Sequence, residues 1–172
     1  MIRMLVALLV LSSPSFATDA VVYRLGGFIE GCRAALTASD ISQFEDLEVT
    51  SEMETDTVSI FGWSDGVTGA TVSILFKGKS RKKGICDVAY VSDPDGIDET
   101  AEMDRLRVTL AEAAMTGPHV IEDSMSGPVI LHCHNGRGLA LFLDPKAVGK
   151  GFSAQISTIE KARMDIECEG ET

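Results

Sequence analysis

Residues 154–167 read AQISTIEKARMDIE, and the period assigned to this stretch sets how many helices the chain holds. Ile156, Ile159, Ala162 and Ile166 recur at steps of three and four, the spacing of one apolar helix stripe. Gly149 and Gly151 form a linker before it. The spacing therefore predicts a closing helix over 154–167.

Upstream, HVIED (119–123), GPVILHCH (127–134) and GLALFLD (138–144) are rich in β-formers and read as strands. Asn135-Gly136 between the last two favours a two-residue hairpin turn, because both residues tolerate positive φ. In that register His134 sits opposite Arg137 and His132 opposite Leu139. A first set of strands comes from TVSIFGW (57–63), GATVSILF (69–76) and ICDVAYV (85–91), separated by turn-like SDGVTG and KGKSRKKG. Helices are expected over 20–38, with Leu25 and Cys32 on the buried stripe, and over 98–115, with Met103, Leu106 and Leu110 buried. Gly117 and Pro118 stop the second. The acidic run 40–56 reads as a connection with one turn of helix or a short edge strand. The order is helix, three strands, helix, three strands, helix. Blocks rather than strict alternation argue for an α+β fold: about six antiparallel strands in two three-stranded blocks, with three packed helices.

The chain begins MIRMLVALLVLSSPSFATDA. Arg3, the apolar run Met4–Leu11, the break at Ser12–Pro14 and small residues at Ser15 and Ala17 make a secretory signal peptide, cut after Ala17. The run is much shorter than the roughly 20 residues that span a bilayer, so no integral membrane protein is expected once the signal is gone. Residues 18–172 then form a single globular domain in the periplasm or outside the cell.

Four cysteines in an exported chain imply two disulfides. Spacing alone cannot choose among three connectivities. If the first helix packs on the first strand block, core-facing Cys32 meets Cys86, leaving Cys133 for Cys168. No C-x-x-C redox or zinc-ribbon spacing occurs.

The net charge of −11 opposes binding to nucleic acid. Five of the fifteen basic residues, Lys77, Lys79, Arg81, Lys82 and Lys83, crowd one hairpin tip, where they are either solvated cover or a contact for an anionic partner. His132-Cys133-His134 puts three ligand-type side chains in a row, but a strand's period of two sends both imidazoles to one face and Cys133 to the other. The pair, with His119 as the one other histidine, is the candidate zinc or copper site. Arg137 on that face would oppose a cation. No G-x-S-x-G elbow, Walker loop or dinucleotide fingerprint appears. The expectation is a small, exported, disulfide-stapled binding protein without catalysis or cofactor, its protein or small-molecule partner unspecified. The alternative is a metal-binding protein or metal-dependent hydrolase built on His132 and His134.

Overall fold

The computed structural model describes residues 15–91, 100–125, 127–144, 151–159 and Cys168. Residues 1–14 of the expected signal segment lie outside these, as do 160–167 of the expected closing helix.

Two α-helices and eight strands occur among the described residues: α1 (Ser15–Ala38), β1 (Glu48–Glu54), β2 (Val58–Ser64), β3 (Thr71–Lys77), β4 (Lys83–Tyr90), α2 (Thr100–Ala114), β5 (His119–Ser124), β6 (Gly127–His134), β7 (Arg137–Leu143) and β8 (Phe152–Thr158). The strands form one antiparallel sheet in the order β1-β2-β3-β4-β8-β7-β6-β5. This overturns the expectation of three packed helices and two three-stranded blocks. Each half is a helix followed by a four-stranded meander. The last strands of the two meanders, β4 and β8, pair at the centre and fuse them.

The decisive correction falls on the quoted stretch. Phe152, Ala154 and Ile156 are buried and face the helices, while Ser153, Gln155 and Ser157 alternate with them. That is a period of two, and it matches Cys86, Val88 and Tyr90 across the β4 ladder. Ile156 and Ile159 satisfy a helical step of three by coincidence. Pairing on both sides, with β4 and β7, outweighs that local spacing. The acidic run 40–56 holds both of the elements expected there as alternatives, one helical turn at Ser42–Phe44 and a short edge strand, β1, every residue of which is exposed. The strand carries no apolar alternation to announce it, and it exists because the backbone groups along β2 need partners. Between α1 and β1, a short 3₁₀ turn (Ser42–Phe44) buries Phe44 against Trp63, ring centroids 4.9 Å apart.

Both helices cover one face of the sheet. Leu25, Phe28, Ile29, Ala35 and Leu36 of α1 and Met103, Leu106 and Leu110 of α2 join Ile74, Phe76, Val88, Leu139, Leu141 and Ile156 in one core. Full burial of each such side chain contributes about 1.5–3 kcal/mol before entropy is counted. The end of α1 can approach β4 because residue 84 is glycine: a Cβ there would lie 2.8 Å from the Leu75 carbonyl and 2.9 Å from Leu36 Cδ2. At the other end, buried Asp65 of the β2–β3 turn takes Arg24 Nε and Nη2 of α1 at 2.8 and 2.6 Å. Burial raises the Asp65 carboxyl, but hydrogen bonds from Arg24, Thr68 and Val67 outweigh it and hold it below the ordinary carboxylate range.

Disulfides join Cys32 to Cys86 and Cys133 to Cys168, the same pairs inferred from the sequence. The first ties α1 to the sheet. The second fixes Cys168 to the opposite face, uncovered among the described residues, because Cys133 lies out of phase with His132 and Ile130. Disulfides fit an oxidising, non-cytoplasmic compartment. No helix among the described residues is long and apolar enough to cross a membrane.

Candidate functional site

The β6–β7 hairpin has the register read from the sequence: His134 faces Arg137 and His132 faces Leu139. Asn135 and Gly136 hold φ of 49° and 75°, as the tight turn requires. His119 on β5 is the cross-strand partner of His132, so the three histidines fall on the helix-covered side of neighbouring strands. They do not converge. His119 is exposed and its Nδ1 lies 2.9 Å from its own Gly117 carbonyl. His132 is only 3 % exposed, with Nδ1 a distant 3.4 Å from Ile130 O and Nε2 unpartnered among the described residues.

What the sequence did not reveal is the fourth member. Arg33 of α1 is 5 % exposed and bonds Glu30 through Nη1, while its Nε and Nη2 have no partner among the described residues. Its charge acts on both His132 and His134. Arg137 also reaches α1, where its Nη1 donates to the Leu36 carbonyl at 3.1 Å. A cationic guanidinium inside the histidine cluster opposes a metal cation. No group of three or more His, Cys, Asp or Glu among the described residues is arranged to hold a metal. The cluster instead disfavours the charged forms of His132 and His134. Burial pushes His132 down to about 4, with Arg33, His134 and His119 pressing the same way against the Ile130 hydrogen bond. His134 is lowered by burial and then by Arg33, with Glu30 opposing.

The uncovered face of the sheet offers a different kind of site. One ladder crosses all eight strands on that side: Met53, Ile60, Leu75, Ile85, Ser157, Ala140, Leu131 and Val120, each directly opposite the next. At the ordinary strand spacing it runs about 34 Å. Seven of its eight side chains are apolar, yet only Leu131 is buried. Cavities of about 550, 400 and 320 Å³ lie along it and share Ser157, with Thr158, Ile159, Val129 and Ala140 each lining two of them. Lys77, Lys82 and Lys83 line the first.

The five basic residues of the hairpin are thus divided by the fold. Lys77 and Lys83 are cross-strand partners beside the ladder. Lys79 reaches Asp56 at 2.6 Å on the exposed tip. Arg81 turns to the other side, pairs with Glu54 and stacks over Phe61 and Phe76 at 5.0 and 5.6 Å. It braces the fold rather than presenting charge to a ligand. Comparison with known protein families, with curated proteins and with solved structures finds no match to this chain.

Proposed function

We propose that this is an exported binding protein, periplasmic or secreted, that holds an extended, acidic segment of a partner protein along the uncovered face of its sheet. The observation carrying the reading is the half-exposed apolar ladder with three lysines beside its central strands. A contiguous apolar stripe left open to water is a recognised mark of an interaction surface. The lysines supply complementary charge in a protein that is otherwise acidic.

The lining favours a polypeptide over an acyl chain. Ser124, Gln155, Ser157 and Thr158 alternate with the apolar side chains of the groove. An acyl chain would offer the Ser157 hydroxyl no partner, at a cost of about 1–3 kcal/mol, while Ser124, Gln155 and Thr158 already bond Gly127, Asp87 and Gly84. A peptide brings its own N–H and C=O groups to meet that hydroxyl. The two disulfides keep the platform rigid, so little order has to be gained on binding.

The test is selection of random peptides on the disulfide-intact protein. Sequences rich in Asp and Glu with interspersed apolar residues are expected. Their binding should weaken in the Lys77→Glu/Lys82→Glu/Lys83→Glu variant and as salt is raised. Selection without acidic preference, or binding indifferent to the triple reversal, would refute the proposal. Metal binding requires a cation to sit beside Arg33. Stoichiometric zinc or copper in protein purified without an affinity tag would favour it over a peptide-binding role.

A further inference from the structure

The open edge of β1 is independent of the groove just described. β1 ends the sheet and pairs only with β2, so one row of its backbone N–H and C=O groups lacks a strand partner among the described residues. Such an edge is a template for a further strand. Beside it, on the helix-covered side but beyond both helices, a cavity of about 240 Å³ is lined by Ile41, Glu45, Val49, Ser51, Glu52, Phe61 and Trp63. Its floor is the stacked pair Phe61–Trp63, centroids 5.9 Å apart. Its rim is Val49, 59 % exposed, and the exposed carboxylates Glu45 and Glu52. Neither carboxylate makes an ion pair among the described residues, whereas Glu54 is taken by Arg81.

We infer that β1 and this cavity form a strand-addition site for an extended basic peptide. Backbone bonding to β1 would supply the register. Cross-strand alternation would aim one apolar side chain over Val49 into the cavity, and lysine or arginine two positions away would meet Glu52 or Glu45. The bases of the specificity are the acid pair at the rim and the aromatic floor. The register irregularity between Val49 and Ser51 turns the strand locally beside the cavity, which limits pairing to a short segment.

The probe is a fluorescent peptide of alternating lysine and valine, with an alternating glutamate–valine peptide as control. Fluorescence anisotropy is read with the protein in its disulfide-bonded form. The lysine peptide is expected to bind saturably, and the glutamate peptide, read on the Lys77→Glu/Lys82→Glu/Lys83→Glu protein whose groove no longer favours it, not to bind. Methylating alternate backbone nitrogens of the lysine peptide should weaken binding by about tenfold or more, because it removes the ladder bonds. Val49→Arg, at an exposed position that does not support the core, and Glu45→Lys/Glu52→Lys should each do the same. Binding that survives N-methylation and vanishes with salt is charge attraction alone and overturns the inference. So does failure of the lysine peptide to bind. Sedimentation of the protein alone that reveals a dimer broken by Val49→Arg would assign the edge to a second copy, and likewise overturns it. Loss of the groove's peptide in the lysine triple variant leaves this test untouched, because the two sites share no lining residue.

Discussion

Lowering the pH should destabilise this protein through His132 before its carboxylates titrate. His132 is buried beside Arg33 and held neutral, its pKa pushed down to about 4. In the unfolded chain the same imidazole titrates near 6.5. Above that value both states carry a neutral ring and His132 adds no pH dependence. As pH falls below it, the unfolded state takes up a proton that the folded state refuses, so stability declines until about pH 4, where the folded state also binds the proton. The loss between about pH 7 and about pH 4.5 comes to about 2.4 kcal/mol from this residue. That is a large part of a typical domain's total stability. His134, also lowered, acts in the same direction. The ionisable groups facing the cluster are Glu30 and Arg33 from α1, His119 from β5 and Arg137 from β7. Urea unfolding followed by tryptophan fluorescence across this window measures the loss directly. The control is His132→Leu, which keeps volume and removes both the titrating group and the unpartnered Nε2. The variant should show about 2 kcal/mol less acid destabilisation than the wild type. Parallel pH profiles for the two proteins, or an NMR titration of His132 near 6.5, would refute the reasoning.

Three further outcomes follow from the packing. Arg24→Ala leaves the buried Asp65 carboxylate without its counter-ion and should lower stability by about 2 kcal/mol in chemical denaturation at neutral pH, with Asp65→Asn/Arg24→Ala recovering part of the loss. Replacing Cys32 and Cys86 by alanine opens a loop spanning 54 residues and should cost about 4 kcal/mol by loop-closure entropy, read as a lower urea midpoint. Gly84→Ala places a Cβ against the Leu75 carbonyl and Leu36, so it should destabilise by about 1–3 kcal/mol; a variant as stable as wild type would mean that α1 does not seat there.

The features that were legible in the sequence are those fixed by local chemistry. Asn135-Gly136 set the β6–β7 register, which put His132 and His134 on one face and Cys133 on the other. The stripe of α1 showed Cys32 facing the core. What was illegible depends on partners distant in sequence. Ile156 and Ile159 fit a helix as well as a strand until β4 is laid beside them. The run 40–56 left a helical turn and a short edge strand as alternatives, and the strand at Glu48–Glu54 is fixed by the edge that β2 offers. The histidines were visible as a pair, but their burial, which lowers both, and Arg33, whose charge adds to it and opposes a cation, come from a helix about a hundred residues earlier in the chain. The lysine-rich hairpin was visible as charge. Its division into groove-lining Lys77, Lys82 and Lys83 and inward-turned Arg81 needed the sheet.

The most direct test of the proposed binding function is calorimetric titration of a selected acidic peptide against the wild type and against Ser157→Arg. Ser157 sits at the middle of the ladder on the uncovered face, where its half-exposed side chain supports no core packing. An arginine there would block the groove while leaving the helix-covered core intact. Binding is expected to fall by about thirtyfold or more with the melting temperature unchanged, because a bulky side chain in the centre of an interface excludes the ligand's apolar contacts. Equal affinity for the two proteins would place the peptide elsewhere and contradict the proposal that the uncovered face of the sheet is the binding surface.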